Sequence, residues 1–176
     1  MNIKTNWLSN KIDLLEKYVN DFRKLNLHIG LPEEFFLFIS RMTPIVNVDL
    51  LIKDELGSTL LSWRDDEYAG QGWHLPGGIV RFKETFEERL IKVSELEINS
   101  IVSYNKEPIA LNEVFPDHDT RGHFVSILYD CKSSSDISLN FNGTKPDEVG
   151  FLQWHNKCPD NIVEVHEMYR EFIDAS

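Results

Sequence analysis

Two cysteines, Cys131 and Cys158, are all that 176 residues contain. They show no metal-ligand spacing and are too few for a disulfide framework in a chain this large, so both read as reduced thiols of a cytoplasmic protein. No apolar run approaches the roughly 20 residues needed to span a bilayer. Met1 to Trp7 lacks the charged-then-apolar layout of a signal peptide. Neither a membrane nor secretion is expected. Positive charge is also scarce: 18 Lys and Arg stand against 29 Asp and Glu, a formal net charge of −11. That balance argues against sequence-independent binding to nucleic acid, where basic side chains must replace the phosphate counterions. A small phosphate ligand stays compatible, because a bound metal ion can invert the local field. There is no internal repeat and no low-complexity tract.

What is present is ordinary globular composition, with 41% hydrophobic and 27% charged residues, and length enough for one domain with a substantial core. Leu8, Ile12, Leu15, Val19 and Phe22 recur at spacings of four and three and form the stripe of an amphipathic helix. That helix sets residues 1–30 apart as an N-terminal extension of a domain spanning 31–176. Its stripe suits either dimerisation or packing on its own domain. Pro32 is placed to start a second short helix, and Phe35 to Ile39 form a run of large apolar groups suited to burial or a subunit contact. From Thr43 the pattern alternates: Val46, Val48, Leu50 and Ile52 on one face, Asn47, Asp49 and Leu51 on the other. After the turn Asp54–Gly57, Ser58 to Arg64 reads as the returning strand of a hairpin. Further strands are expected at 110–115, 123–131 and 151–154, with a polar loop over 132–145 and a last helix from about 159 to 173.

The chemistry concentrates in residues 77–97. Gly77-Gly78 lets the backbone turn tightly and leaves a carbonyl accessible, although Pro76-Gly77-Gly78 also suits a plain turn. Thr85 and Glu88 match a capping box, so a helix should begin at Thr85. At 100° steps Phe86, Leu90, Val93 and Glu97 share one face. A carboxylate in line with an apolar stripe is costly unless it is paired or coordinates a cation; otherwise the helix frays before Glu97 and leaves it solvated.

Gly78, five residues, then Glu84 resembles the start of the Nudix signature, G-x5-E-x7-R-E-U-x-E-E-x-G-U. The second half departs from it: Lys92, Val93 and Leu96 replace Arg, Glu and Glu, Asn99 replaces the final glycine, and Glu97 alone matches the metal-binding pair. Those departures, with 43–49, 60–64, 72–78 and 83–87 in order and register, resemble the GDP-mannose mannosyl hydrolase branch. The resemblance covers 43–99 well, 107–173 weakly and the first 30 residues not at all. It implies an α+β Nudix fold, a mixed β-sheet sandwiched between α-helices, with an extra N-terminal helix.

It further implies a hydrolase that uses Mg2+, with Mn2+ as substitute, on a nucleotide sugar, and a homodimer. Cleavage would fall between the anomeric carbon and the diphosphate oxygen, releasing free sugar and nucleoside diphosphate. Gly77, Glu97 and Glu148 match the metal ligands, Glu148 standing where the branch has Gln. Asp49 and Arg64 match a catalytic Asp and Arg; Arg64 would also contact the diphosphate, since a guanidinium binds phosphate oxygens in pairs. Glu84 matches the first glutamate of the motif, catalytic or structural. His74 and His123 are candidate substrate contacts. The general-base His of the branch is absent, Val149 or Gly150 standing there; His74, His118, His123 and His155 are the imidazoles nearest that role. Two other readings compete: an ordinary pyrophosphohydrolase that breaks P–O–P, and a nucleotide-sugar-binding module without turnover.

Overall fold

The computed structural model describes residues 30–133 and 137–175, with isolated helical positions at 12, 13, 16–18 and 20. Of the stripe read at the N-terminus only Ile12 falls among them, helical and 51% exposed; the rest of that helix and the 1–30 extension as a unit lie outside the described residues. A short helix, α1 (Glu33–Ser40), leads into the first strand, with Pro32 as its N-cap rather than its first residue.

Two sheets follow. β1 (Ile45–Ile52) lies at the centre of a five-stranded mixed sheet, antiparallel to β4 (Gly77–Ile79) and parallel to β7 (Phe124–Ser133). The far edge of β7 pairs with β6 (Ala110–Val114) along one half and β5 (Val102–Tyr104) along the other. β2 (Thr59–Asp66), β3 (Gly70–His74) and β8 (Leu152–His155) form a separate antiparallel sheet. The hairpin expected of β1 and β2 therefore survives only at its corner, where Asp54 N–H bonds to Ser58 and Lys53 bridges Thr59. Beyond that corner the strands diverge, because Leu60 and Leu61 are both wholly buried and reach two different core clusters.

The main helix, α2 (Phe86–Val93), opens with the expected capping box: Thr85 accepts from the Glu88 amide at 3.1 Å while Glu88 accepts from the Thr85 amide at 2.8 Å. Leu90 and Val93 are buried against β1 and β7. The chain does not fray after Val93. It continues as a wider π-helical turn, Ser94–Ile98, that ends on Asn99 at φ +47°. Asn is the non-glycine residue best able to hold that left-handed conformation, so it serves as the stop where the motif has Gly.

On the opposite face of β1, Leu51 packs with Leu61, Trp73, Leu75 and Leu128 beneath the C-terminal segment. That segment is not one helix. Trp73 donates to Asn161 and Val163 donates to Trp73, at 3.0 and 2.9 Å, so 161–163 extends alongside β3. Only then come a 3-10 stretch, Glu164–Tyr169, and a short helix, α3 (Arg170–Asp174).

Thr85→Ala should cost about 1 kcal/mol of stability, the usual value of an N-cap. Asn99→Ala should lose about 1 kcal/mol through left-handed strain, while Asn99→Gly should lose nothing. Urea denaturation of the three variants checks both.

Candidate functional site

β4 is an edge strand, and its register on β1 decides what Gly77 faces. Leu50 donates to the Pro76 carbonyl at 2.9 Å and Val80 donates to Val46 at 3.0 Å. Asp49 and Gly77, directly opposite each other, are thus a non-hydrogen-bonded pair of an alternating antiparallel ladder. Both the amide and the carbonyl of Gly77 point away from β1. A side chain at Gly77 would collide with the Asp49 carboxylate, and one at Gly78 would meet Val93 at 2.9 Å. The glycines are there for close approach within a strand, not for a turn.

The Glu97 carboxylate, half-buried on the π-helical turn, takes the Gly77 amide as a hydrogen-bond donor. Burial pushes its pKa up to about 8; the Gly77 amide and Arg64 favour the charged form, and Asp49 opposes it. Asp49 is almost fully buried. The polar face read for β1 in fact looks into the second core rather than into solvent. There Asp49 accepts from Ser126, from Tyr169 at 3.2 Å and from Asn47 at 2.8 Å, with His166 Nε2 at 3.7 Å. Burial raises Asp49 to about 6, and those hydrogen bonds and Arg64 keep it from going higher. Ser126, Tyr169, Asn47 and His166 had no signal in the sequence, since β1, β7 and the C-terminal segment meet only in the folded chain.

His166, buried, and His74, half-buried, are both neutral. The Leu75 amide donates to His166 Nδ1 at 3.0 Å, which puts the proton of that ring on Nε2. His74 Nδ1 donates to the Leu75 carbonyl at 2.7 Å. Burial drives both to about 3, helped at His74 by His166 and Arg64 and at His166 by Arg64.

A cavity of about 310 Å³ opens over this ground. Four guanidinium groups line it, Arg64, Arg81, Arg89 and Arg121, together with Glu97 as the single carboxylate, and with His118 and His166. Arg64 is held by Asp66. Arg89, buried to 7% exposure, bonds Glu84 at 2.6 Å, and Lys92 adds a second contact at 2.8 Å. Burial alone would raise Glu84; Lys92, the Arg81 amide and Arg89 bring it down to about 2 instead. Glu84 is therefore a permanently charged clamp between the β4–α2 loop and the helix.

Three expected residues are placed elsewhere. Glu148 is exposed and accepts from the Thr144 amide and hydroxyl at 2.8 and 2.9 Å, closing its own turn. The loop carrying it does dock on the helix end, through Asn142 to the carbonyls of Leu96 and Glu97. His123 stacks on Phe115, with ring centroids 4.5 Å apart, beside Glu113. His74 is behind the cavity wall and is not among the lining residues. Val149, at the position of the missing base, is 60% exposed.

Among the described residues no three His, Cys, Asp or Glu side chains stand together as a metal cluster. A closed structural site is thereby disfavoured. Mg2+ behaves differently: one or two carboxylates suffice when substrate phosphates and water complete the octahedron. Glu97 beside the outward backbone of Gly77, with a second carboxylate behind, fits that requirement.

No family model matches the chain. A low-salt glycan biosynthesis protein of Haloferax volcanii is 27% identical over 110 residues, covering 60% of this chain and 70% of that protein. Among solved structures, a MutT Nudix hydrolase from Burkholderia pseudomallei superposes with a TM-score of 0.59 at 20% identity, over 73% of this chain and 97% of that one. A MutT protein from Methanosarcina mazei Go1 gives 0.59 at 19%, over 75% and 94%. A UDP-X diphosphatase gives 0.54 at 17%, over 94% and 78%. The chain has the Nudix fold, of the α+β class. No helix among the described residues is long and apolar enough to cross a membrane.

Four of the shifted groups, Glu97, Asp49, His74 and His166, make a pH prediction. Glu97, ordinarily 4.5 and here about 8, leaves the folded protein holding a proton that the unfolded chain has lost, so stability falls as pH rises through that window. Asp49 acts with the same sign between 3.8 and about 6. His74 and His166 act oppositely, between about 3 and their ordinary 6.5. From pH 6.5 to 8 Glu97 is the only one of the four still titrating. Calorimetry of the metal-free protein should show Tm declining over that range, and Glu97→Gln should flatten the decline. A flat wild-type profile would mean that Glu97 ionises normally.

Proposed function

We propose that this protein is a Mg2+-dependent hydrolase of a nucleoside diphosphate sugar, cleaving the glycosyl C–O bond to release sugar and nucleoside diphosphate. The observation that carries the reading is the charge of one cavity. In a chain of net charge −11, four guanidinium groups and a single carboxylate line it. Such a surface selects a compact polyanion. A single helix carboxylate also suits departure of an intact diphosphate better than attack between its phosphorus atoms, chemistry that usually recruits more metal-bound carboxylates. The Nudix fold and the glycan-biosynthesis relative are consistent with it.

Glu97 and the Gly77 carbonyl would hold Mg2+, which when bound supplies positive charge to the departing diphosphate. Arg64, oriented by Asp66, offers its remaining donors to the same oxygens. Asp49 stays behind Gly77, its charge spread over Ser126, Tyr169 and Asn47, and sets the field that Glu97 and Arg64 share. His118 takes the part of the base. It lines the cavity, and the Thr120 carbonyl 2.6 Å from its Nδ1 takes the Nδ1 proton, which leaves Nε2 to accept one, whereas His166 uses Nδ1 as an acceptor and carries its proton on Nε2. A homodimer belongs to the same proposal; exposed Phe38, Met42 and Phe82 supply apolar surface for it.

A panel of nucleotide sugars with Mg2+ tests the reading. Free sugar and nucleoside diphosphate are expected, with solvent 18O in the sugar. Sugar phosphate with nucleoside monophosphate would replace this with P–O–P cleavage, and binding without products would leave a binding module. Glu97→Gln should lower kcat/KM by on the order of a hundredfold or more and abolish the rise in Tm that Mg2+ gives the wild type. His118→Ala should lower kcat by about 10²-fold with little change in KM.

A further inference from the structure

Two of the four cavity arginines are held by carboxylates, Arg64 by Asp66 and Arg89 by Glu84. Arg81 and Arg121 make no ion pair among the described residues, and of these two only Arg121 also has its Nε buried without a hydrogen-bond acceptor. A guanidinium cannot shed its proton to escape that cost, and a desolvated donor left unsatisfied is unfavourable.

The group is nonetheless built into place. Its Cζ lies 4.2 Å from the centroid of the Tyr68 ring, and 5.6 and 5.9 Å from those of Phe36 and Phe124. Its backbone amide donates to Ser40 at 3.1 Å and its φ is +53°. The loop behind it is closed by His118 on Thr120, and a side chain at Gly122 would meet the His118 carbonyl at 2.6 Å. Aromatic rings crowd the guanidinium and offer its N–H donors no acceptor, so those donors are what is left for a ligand. The position is also specific. Arg121 lines the same cavity as Arg64 and Glu97, and Arg64 is close enough to act electrostatically on both.

We propose that Arg121 is a specificity-determining residue that receives a carboxylate on the glycosyl group, so that the preferred substrates are nucleoside diphosphate uronates over their neutral counterparts. This rests on the nucleotide-sugar reading above. With the diphosphate taken by Arg64 and Glu97, the group that reaches Arg121 must bring both an acceptor pair in one plane and a negative charge. A carboxylate brings both. A nucleobase edge brings acceptors but no charge, and the rings around Arg121 are already covered by the cation, which leaves it less to stack on.

The test is isothermal titration of UDP-glucuronate against UDP-glucose, and of GDP-mannuronate against GDP-mannose, with Ca2+ replacing Mg2+ to hold the diphosphate without turnover, and with UDP and GDP alone as references. The wild type should bind the acidic member of at least one pair about ten- to a hundredfold more tightly, the range of a charge-assisted bidentate contact. In Arg121→Gln that ratio should fall close to one. Arg121→Lys keeps the charge without the fork and should fall between, which separates recognition from misfolding. Binding of UDP or GDP with equal affinities within each pair would overturn this inference and leave the nucleotide-sugar reading standing. An acidic preference that survives in Arg121→Gln would overturn it as well. Failure to bind the nucleoside diphosphates and all four nucleotide sugars would overturn both.

Discussion

The site depends on two carboxylates being brought to either side of one glycine. Asp49 presses against Gly77 from β1, and Glu97 takes its amide from the helix side. Burial raises the cost of ionising both, and Asp49 adds to it at Glu97, so the arrangement stores an electrostatic demand for positive charge. Every neighbouring feature maintains it. The capping box fixes where α2 begins, and Glu84 ties its start to the loop from β4 through Arg89 and Lys92. The π-helical turn carries Glu97 to the strand, as such turns often do at functional positions.

Acidic chains can bind anions when their basic residues are concentrated. Here Asp66 and Glu84 each hold one arginine at the cavity wall. Acids spent in this way orient guanidinium groups rather than cancel the field, because the remaining donors still face the cavity. The surface elsewhere keeps its negative charge, which disfavours long polyanions. That division of charge suits the Nudix fold, whose β4–α2 corner supplies outward backbone groups and a helix carboxylate in one place.

What could be read in advance was local. Thr85 with Glu88, the glycine pair, and Leu90–Val93 in line with Glu97 are relations within a few residues, and each has a stereochemical meaning of its own. Strand alternation at 45–52 was equally plain, but the burial of its Asn47–Asp49 face was not, because the partners of Asp49, Ser126 and Tyr169, lie some 80 and 120 residues further on. β5, three residues long, carries too little pattern to stand out. The extended stretch 161–163 takes its conformation from Trp73, not from its own residues.

The amino-acid order therefore determined the elements around the helix, its cap, its stop at Asn99 and the one carboxylate aligned with its apolar face, since backbone geometry repeats every few residues. Tertiary structure decided the rest: which strands share a sheet, that Glu84 serves as a clamp, that Glu148 turns to Thr144, and that Arg121 lines the cavity without an ion pair among the described residues. Those outcomes follow from burial and charge summed over segments far apart in the chain, and no local pattern encodes such sums.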